Sequence, residues 1–250
     1  MRSPTTSPPN PPRSRFSSRL LDVSRGRDSL LCVGLDVDPA RVPEPLRGRP
    51  DWIYEYNLGI IEATADLVCA YKPNLAFYEA LGAEGMDALA RTVQAVPDGI
   101  PVIGDAKRGD IGHTAGAYAR ALFEVFGFDA VTVNPYLGFD SVEPFLRYED
   151  RGVFLLCKTS NPGSGDFQDL VCETPDGPMP LYQAVARRTV AWGEGDLGLV
   201  VGATYPEQLA RVREIAPSAA LLIPGVGAQA GDLEKTVLLG TDARGELAVI

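Results

Sequence analysis

Histidine is nearly missing from this chain: 250 residues contain one, His113. A nitrogen-ligated metal centre has little to be built from. The four cysteines do not fill the gap, because Cys32, Cys69, Cys157 and Cys172 form no C-x-x-C pair. A zinc site is therefore poorly supported, and no metal is expected. Cys32 and Cys157 lie inside apolar runs, where a free thiol behaves as a small core residue. Reduced cysteines in a cytoplasmic protein are expected in preference to disulfides. Long apolar runs are absent too, so no segment reads as a membrane span. The N-terminus, MRSPTTSPPNPPRSRF, lacks the apolar centre of a secretory signal. Positive charge is scarce: 23 Lys and Arg stand against 33 Asp and Glu, a net charge of −10. Such a balance argues against nucleic acid or an anionic membrane as partner. An anionic small molecule would have to meet cations concentrated in one place.

What is present reads as an ordinary globular chain, 45% hydrophobic and 22% charged. Residues 1–17 are rich in Pro, Ser and Arg and are expected to be a disordered tail. Residues 18–250 are expected to form one folded domain. Within it, short apolar runs at 29–35, 69–72, 100–105, 130–133, 152–157, 198–201 and 220–223 read as strands buried on both faces. Amphipathic stretches at 52–68, 83–95, 111–126, 141–148, 181–192, 206–215 and 232–239 read as helices. Seven strand-then-helix repeats imply an α/β fold with parallel strands and helical crossovers. At this length a (β/α)8 TIM barrel is the natural architecture. The rival doubly wound sheet lacks its G-x-G-x-x-G turn after the first strand. The segment 159–180 is long, polar and rich in Gly and Pro, and a loop of that length in a compact domain is usually functional.

The informative charges sit where apolar runs end. Asp36 follows the first, Lys72 ends the second, and Asp105 ends the third, with Lys107 and Asp110 just beyond. In a parallel barrel these ends converge on one face. Asp105 and Lys107 are two residues apart, so a continuing strand points them to the same side. Taken singly, each could be a surface ion pair at a loop start. His113 falls in a helical first turn with no partner beside it, and a structural role is expected. Near the end, IPGVGAQAGD is a glycine-rich turn leading into a helix, a backbone arrangement that suits a phosphate.

The string DAKRGDIGHT resembles the D-x-K-x-x-D-x-x-x-T signature of the orotidine 5'-phosphate decarboxylase family. GLDVDP, YKPNLAFYEALG, VNPYLGFDS, KTSNPGSGD and PGVGAQ resemble further segments of that family's longer bacterial branch, in the same order. The similarity runs from about Arg19 to residue 250. The resemblance implies a barrel that decarboxylates orotidine 5'-phosphate to UMP, the last step of de novo UMP synthesis, with no cofactor. It implies a catalytic charge array of Lys72, Asp105, Lys107 and Asp110, with Lys107 as proton donor. It further implies a homodimer in which Asp110 reaches the partner's active site, accompanied by Thr114. Asp36 and Lys72 would bind the ribose and Ser160 the pyrimidine. Pro224, Gly225, Gly227 and Gln229 would hold the phosphate. One departure stands out. The family continues past its eighth strand into a Ser-Arg motif and a helix, and that arginine binds phosphate; here the sequence stops at GELAVI. A barrel truncated in strand eight, with exposed edges on strands one and seven and weak phosphate binding, is the expectation. The alternative function is then a non-catalytic or weakly active nucleotide-binding remnant. A related sugar-phosphate barrel, such as a hexulose-phosphate synthase or a metal-dependent epimerase, is disfavoured by the full Lys-Asp-Lys-Asp array and KTSNPG.

Overall fold

A computed structural model of the chain describes residues 15–193, 196–227 and 231–250. Helix α1 (Phe16–Arg27) leads into β1 (Cys32–Gly34) and α2 (Trp52–Thr64). β2 (Ala70–Lys72) is followed by the short α3 (Leu75–Glu79) and by α4 (Gly82–Ala95). β3 (Ile103–Arg108) leads into α5 (Gly112–Arg120), and β4 (Ala130–Val133) into α6 (Phe139–Leu146). After β5 (Gly152–Lys158) a long loop carries one helical turn, α7 (Gly165–Gln168), and a small antiparallel pair, β6 (Val171–Cys172) with β7 (Met179–Pro180). Then come α8 (Leu181–Trp192), β8 (Asp196–Val201), α9 (Pro206–Ile215), β9 (Leu221–Leu222), α10 (Leu233–Gly240) and β10 (Ala248–Val249).

The strands form where the sequence is apolar on both faces. All four residues of β4 are buried, the pattern of a parallel strand covered by helices outside and core inside. Parallel pairing runs β3-β4-β5-β8-β9-β10 in one sheet and β1-β2 in another. Backbone bonds stitch the two into a ring. Between β2 and β3, Tyr71 N–H donates to Pro101 O (3.0 Å) and Asp105 N–H to Pro73 O (3.0 Å). Between β10 and β1, Cys32 N–H donates to Ile250 O (2.7 Å) and Ile250 N–H to Leu30 O (2.9 Å). Eight parallel strands therefore close on themselves, leaving no open sheet edge in the ring.

This corrects the expectation of exposed edges on the first and seventh strands. β10 is short, yet it needs only a few residues to pair with β9 on one side and β1 on the other. It is also held at its entry. The Arg213 guanidinium donates to the carbonyls of Ala219 (2.7 Å), Gly240 (2.6 Å) and Leu247 (2.9 Å), tying α9 and the end of α10 to the residue before β10. Burial pulls the pKa of Arg213 down to about 10, still far above neutral, so it binds these oxygens as a cation.

Each of the eight barrel strands sends at least one side chain into a common interior cluster, among them Ala70, Ile103, Ala130, Phe154 and Val200. Helix α1 closes the N-terminal end of the barrel. Phe16 and Leu20, one helical turn apart, are its buried residues and join that cluster. The Phe16 ring meets Phe154 edge-to-face at 5.8 Å and 89°. Gly152 lies beneath it, where any Cβ would overlap the Phe16 ring. Because α1 begins at Phe16, residues 16 and 17 of the expected tail are helical; residues 1–14 lie outside the described residues. Phe16→Ala should cost about 3–5 kcal/mol of stability, as for other fully buried aromatics. Urea unfolding measures it, and a loss under about 1 kcal/mol would mean that α1 does not seal the barrel.

Candidate active site

The two-residue alternation that builds the interior continues upward into the site. Above Ala70 in β2 comes Lys72; above Ile103 in β3 come Asp105 and Lys107; above Ala130 in β4 comes Thr132. Asp105 is the centre. Its Oδ1 accepts from Lys107 Nζ at 2.6 Å and from Thr132 Oγ1 at 2.8 Å, and its Oδ2 accepts from Lys72 Nζ at 3.3 Å. The Asp105 side chain is 10% exposed and that of Lys72 15%, whereas Lys107 is 47% exposed. Lys107 is thus the member of the array that faces the barrel mouth.

The backbone at Lys107 is unusual. Its φ is +48°, and the β3–β4 register shifts between Gly104 and Arg108. A left-handed conformation costs a residue with a side chain about 1–2 kcal/mol, and such strain gathers at functional sites. Thr132 offsets it: its hydroxyl accepts from Lys107 N–H at 2.9 Å while donating to Asp105. On the outer side of the strand, Arg108 pairs with Glu79 and lies over the Tyr118 ring at 5.4 Å, pinning β3 between α3 and α5.

Burial alone would push the Asp105 carboxyl up, but Lys72 and Lys107 outweigh it and hold the pKa below the usual range. Burial would likewise pull Lys72 down, but Asp105 and then Asp36 outweigh it and hold the pKa above its ordinary value. The stabilisation from Asp105 is present above the free carboxylate pKa of about 4 and is lost as pH falls through its lowered folded value. That from Lys72 is present below about 10.4 and is lost as pH rises through its raised folded value. Asp105 and Lys72 therefore stay ionised together from about pH 4 to 10.

The other expected residues fall into three groups. Asp36 stands beside the array, with no ion pair to it among the described residues: it is exposed at the top of β1, accepts from Asn74 N–H at 3.0 Å, and its charge helps hold the Lys72 pKa up. Ser160, Pro224, Gly225 and Gly227 lie at the same end of the barrel, past β5 and β9. Thr204 Oγ1 donates to Ser160 O (3.4 Å) and Ala203 N–H to Pro224 O (2.9 Å), linking these two loops through the end of β8. Gly225 and Gly227 have φ of +109° and +91°, which only glycine adopts readily. Gln229 lies outside the described residues. Asp110 and Thr114 are not drawn into the array. The Asp110 carboxylate accepts from Ile111 N–H at 2.8 Å, and among the described residues no ion pair joins it to Lys72 or Lys107. His113 is exposed on α5.

Two polar residues at this end were not singled out from sequence: Thr132 and Lys158. Thr132 lies inside a run that otherwise reads as core, where a lone polar residue was the available signal; Lys158 directly follows the run 152–157, the same end-of-run position that drew attention to Lys72. The four cysteines are free, and burial pushes Cys69 and Cys157 up to about 12. Among the described residues no group of three His, Cys, Asp or Glu could hold a metal. No described helix is long and apolar enough to cross a membrane.

A parallel barrel with a buried aspartate clamped between two lysines at its strand ends has the architecture of a barrel enzyme, with its candidate site at that face. Residues 29–250 match the Orotidine 5'-phosphate decarboxylase / HUMPS family. The chain is 54% identical to the orotidine 5'-phosphate decarboxylase of Thermomicrobium roseum over 237 residues, 94% of this chain and 84% of that protein. Among solved structures, it superposes on Leishmania donovani OMP decarboxylase with a TM-score of 0.82 and 44% identity, covering 95% of this chain and 88% of the other. It superposes on Leishmania donovani UMP synthase with a TM-score of 0.85 and 46% identity; 94% of this chain is covered, and it spans only 50% of that longer protein. The chain belongs to the orotidine 5'-phosphate decarboxylase family.

Proposed function

We propose that this chain removes carbon dioxide from orotidine 5'-phosphate to give UMP, with no metal or organic cofactor. The observation that carries the reading is the Lys72–Asp105–Lys107 array, with Asp105 buried and Lys107 at the mouth. When the C6 carboxylate leaves as carbon dioxide, its bonding electron pair stays on C6 as a vinyl carbanion. The Lys107 ammonium sits where that charge develops, and its proton then passes to C6. The lysine regains a proton from solvent. Asp105 keeps Lys107 charged and aimed through the 2.6 Å contact. Its own charge beside the substrate carboxylate adds repulsion in the ground state, a contribution of contested weight.

Asp36 and Lys72 take the ribose hydroxyls and Ser160 the base. Pro224, Gly225, Gly227 and Gln229 take the phosphate. Asp110, unpaired with the array in its own chain, completes the array of a second copy, with Thr114 at that interface. Free, partly buried thiols support a cytoplasmic setting.

Carbon dioxide release from orotidine 5'-phosphate, followed in chelator-treated buffer, tests the reading. Turnover unaffected by the chelator is expected. Tight UMP binding without carbon dioxide release would leave the nucleotide-binding remnant instead. Turnover only on a sugar phosphate with added metal would favour the related barrels.

A further inference from the structure

The mechanism above leaves unused the most deeply buried cation at this end of the barrel. Lys158 ends β5 just past a shift in the β5–β8 register, and its side chain is 1% exposed. Its ammonium donates to both Asp169 oxygens (2.9 and 2.8 Å) and to Ser164 Oγ (3.1 Å), and it lies over the Tyr205 ring at 4.6 Å. Ser164 and Asp169 belong to the loop after β5, on either side of α7. Beside them, Thr159 N–H donates to Gln168 Oε1 (2.9 Å) and Gln168 Nε2 to Thr159 Oγ1 (2.8 Å). The loop is thus folded back on its root at two neighbouring points.

Ser160 lies within that fold. From the other side it is pressed against Gly202, where an added Cβ would come within 2.7 Å of Ser160 Cβ. We propose that the Lys158–Asp169 pair is a positioning device: it anchors the loop after β5 from below and holds Ser160 in the pose that contacts the pyrimidine. This rests on the proposed role of Ser160. A buried ammonium must keep its partners, so the strand end dictates where residues 164 and 169 lie. Asp169 is half exposed, so the contact can be broken from the solvent side without opening the core.

The test uses the full chain and two ligands, UMP and ribose 5-phosphate, the second lacking the base. Asp169→Asn alone strands a buried charge and risks misfolding. The double variant Lys158→Met/Asp169→Leu removes both charges, and such replacements of buried pairs are often neutral for stability. Expected for the double variant is a native unfolding midpoint with UMP binding and KM for orotidine 5'-phosphate weakened about ten- to a hundredfold. Ribose 5-phosphate binding should not move. Adding Ser160→Ala to the double variant should cost less than Ser160→Ala alone, because both act on one contact. If Ser160→Ala weakens UMP binding but the double variant does not, the positioning proposal is overturned. If both ligands weaken alike, the pair serves the fold and the proposal is likewise overturned. If Ser160→Ala leaves UMP binding unchanged, the assignment of Ser160 to the base fails, and the positioning proposal fails with it.

Discussion

Lys107→Ala should lower kcat for orotidine 5'-phosphate by at least roughly 10³-fold while leaving UMP binding within about tenfold. Two losses combine. A preorganised cation at the developing carbanion is worth on the order of 10²–10³ in kcat, and a positioned proton donor on the order of 10²–10⁴. The two share one side chain and do not simply multiply. The ground-state ligand is affected less because Lys107 is half exposed at the mouth, while ribose and phosphate contacts are assigned elsewhere. Steady-state kinetics and a UMP titration measure both quantities. A kcat near that of the parent would remove Lys107 from the chemistry.

Asp105→Asn should lower kcat at least roughly 10²-fold and also change the shape of the pH–rate profile. In the parent, Asp105 is the largest influence keeping Lys72 charged against the pull of burial. Without that carboxylate, burial prevails and the Lys72 pKa falls. An alkaline limb should therefore enter the profile between about pH 7 and 10, a range in which the parent array does not titrate at Asp105 or Lys72. Loss of rate with no new limb would mean that Lys72 owes its charge to Asp36 or to solvent, and that Asp105 acts on the substrate alone.

The strands and their order were legible because a strand covered on both faces must be apolar throughout, as at 130–133 and 152–157. The charges at Asp36, Lys72 and Asp105 were legible because each breaks such a run at its end. Helix α1 was not read, because only Phe16 and Leu20 are buried in it and the other residues are mostly Ser, Arg and Asp. The closure by β10 was misjudged, because two residues carry no periodicity and their pairing depends on bonds to residues far away in sequence. Thr132 was passed over because one polar residue in an apolar run has no pattern of its own. Lys158 ends its run as Lys72 does and carried the same signal, but its partner Asp169 lies 11 positions away in a loop, as Asp105 lies 27 positions from Thr132. The left-handed turn at Lys107 has no sequence signal either, since glycine, its usual occupant, is replaced there by a lysine.

The seam between β1 and Ile250 also bears on how this barrel is made. Strands β1 and β2 can pair as soon as both exist, but the other edge of β1 waits for the carbonyl and amide of Ile250. During synthesis, every intermediate short of that point carries an unsatisfied strand edge, a template for pairing with other nascent chains. Contacts this distant in sequence also slow folding. The β10–β1 seam joins the strands of the ring furthest apart in sequence, so expression yield should respond more sharply to substitutions along it than to equal losses of contact within β4 or β5.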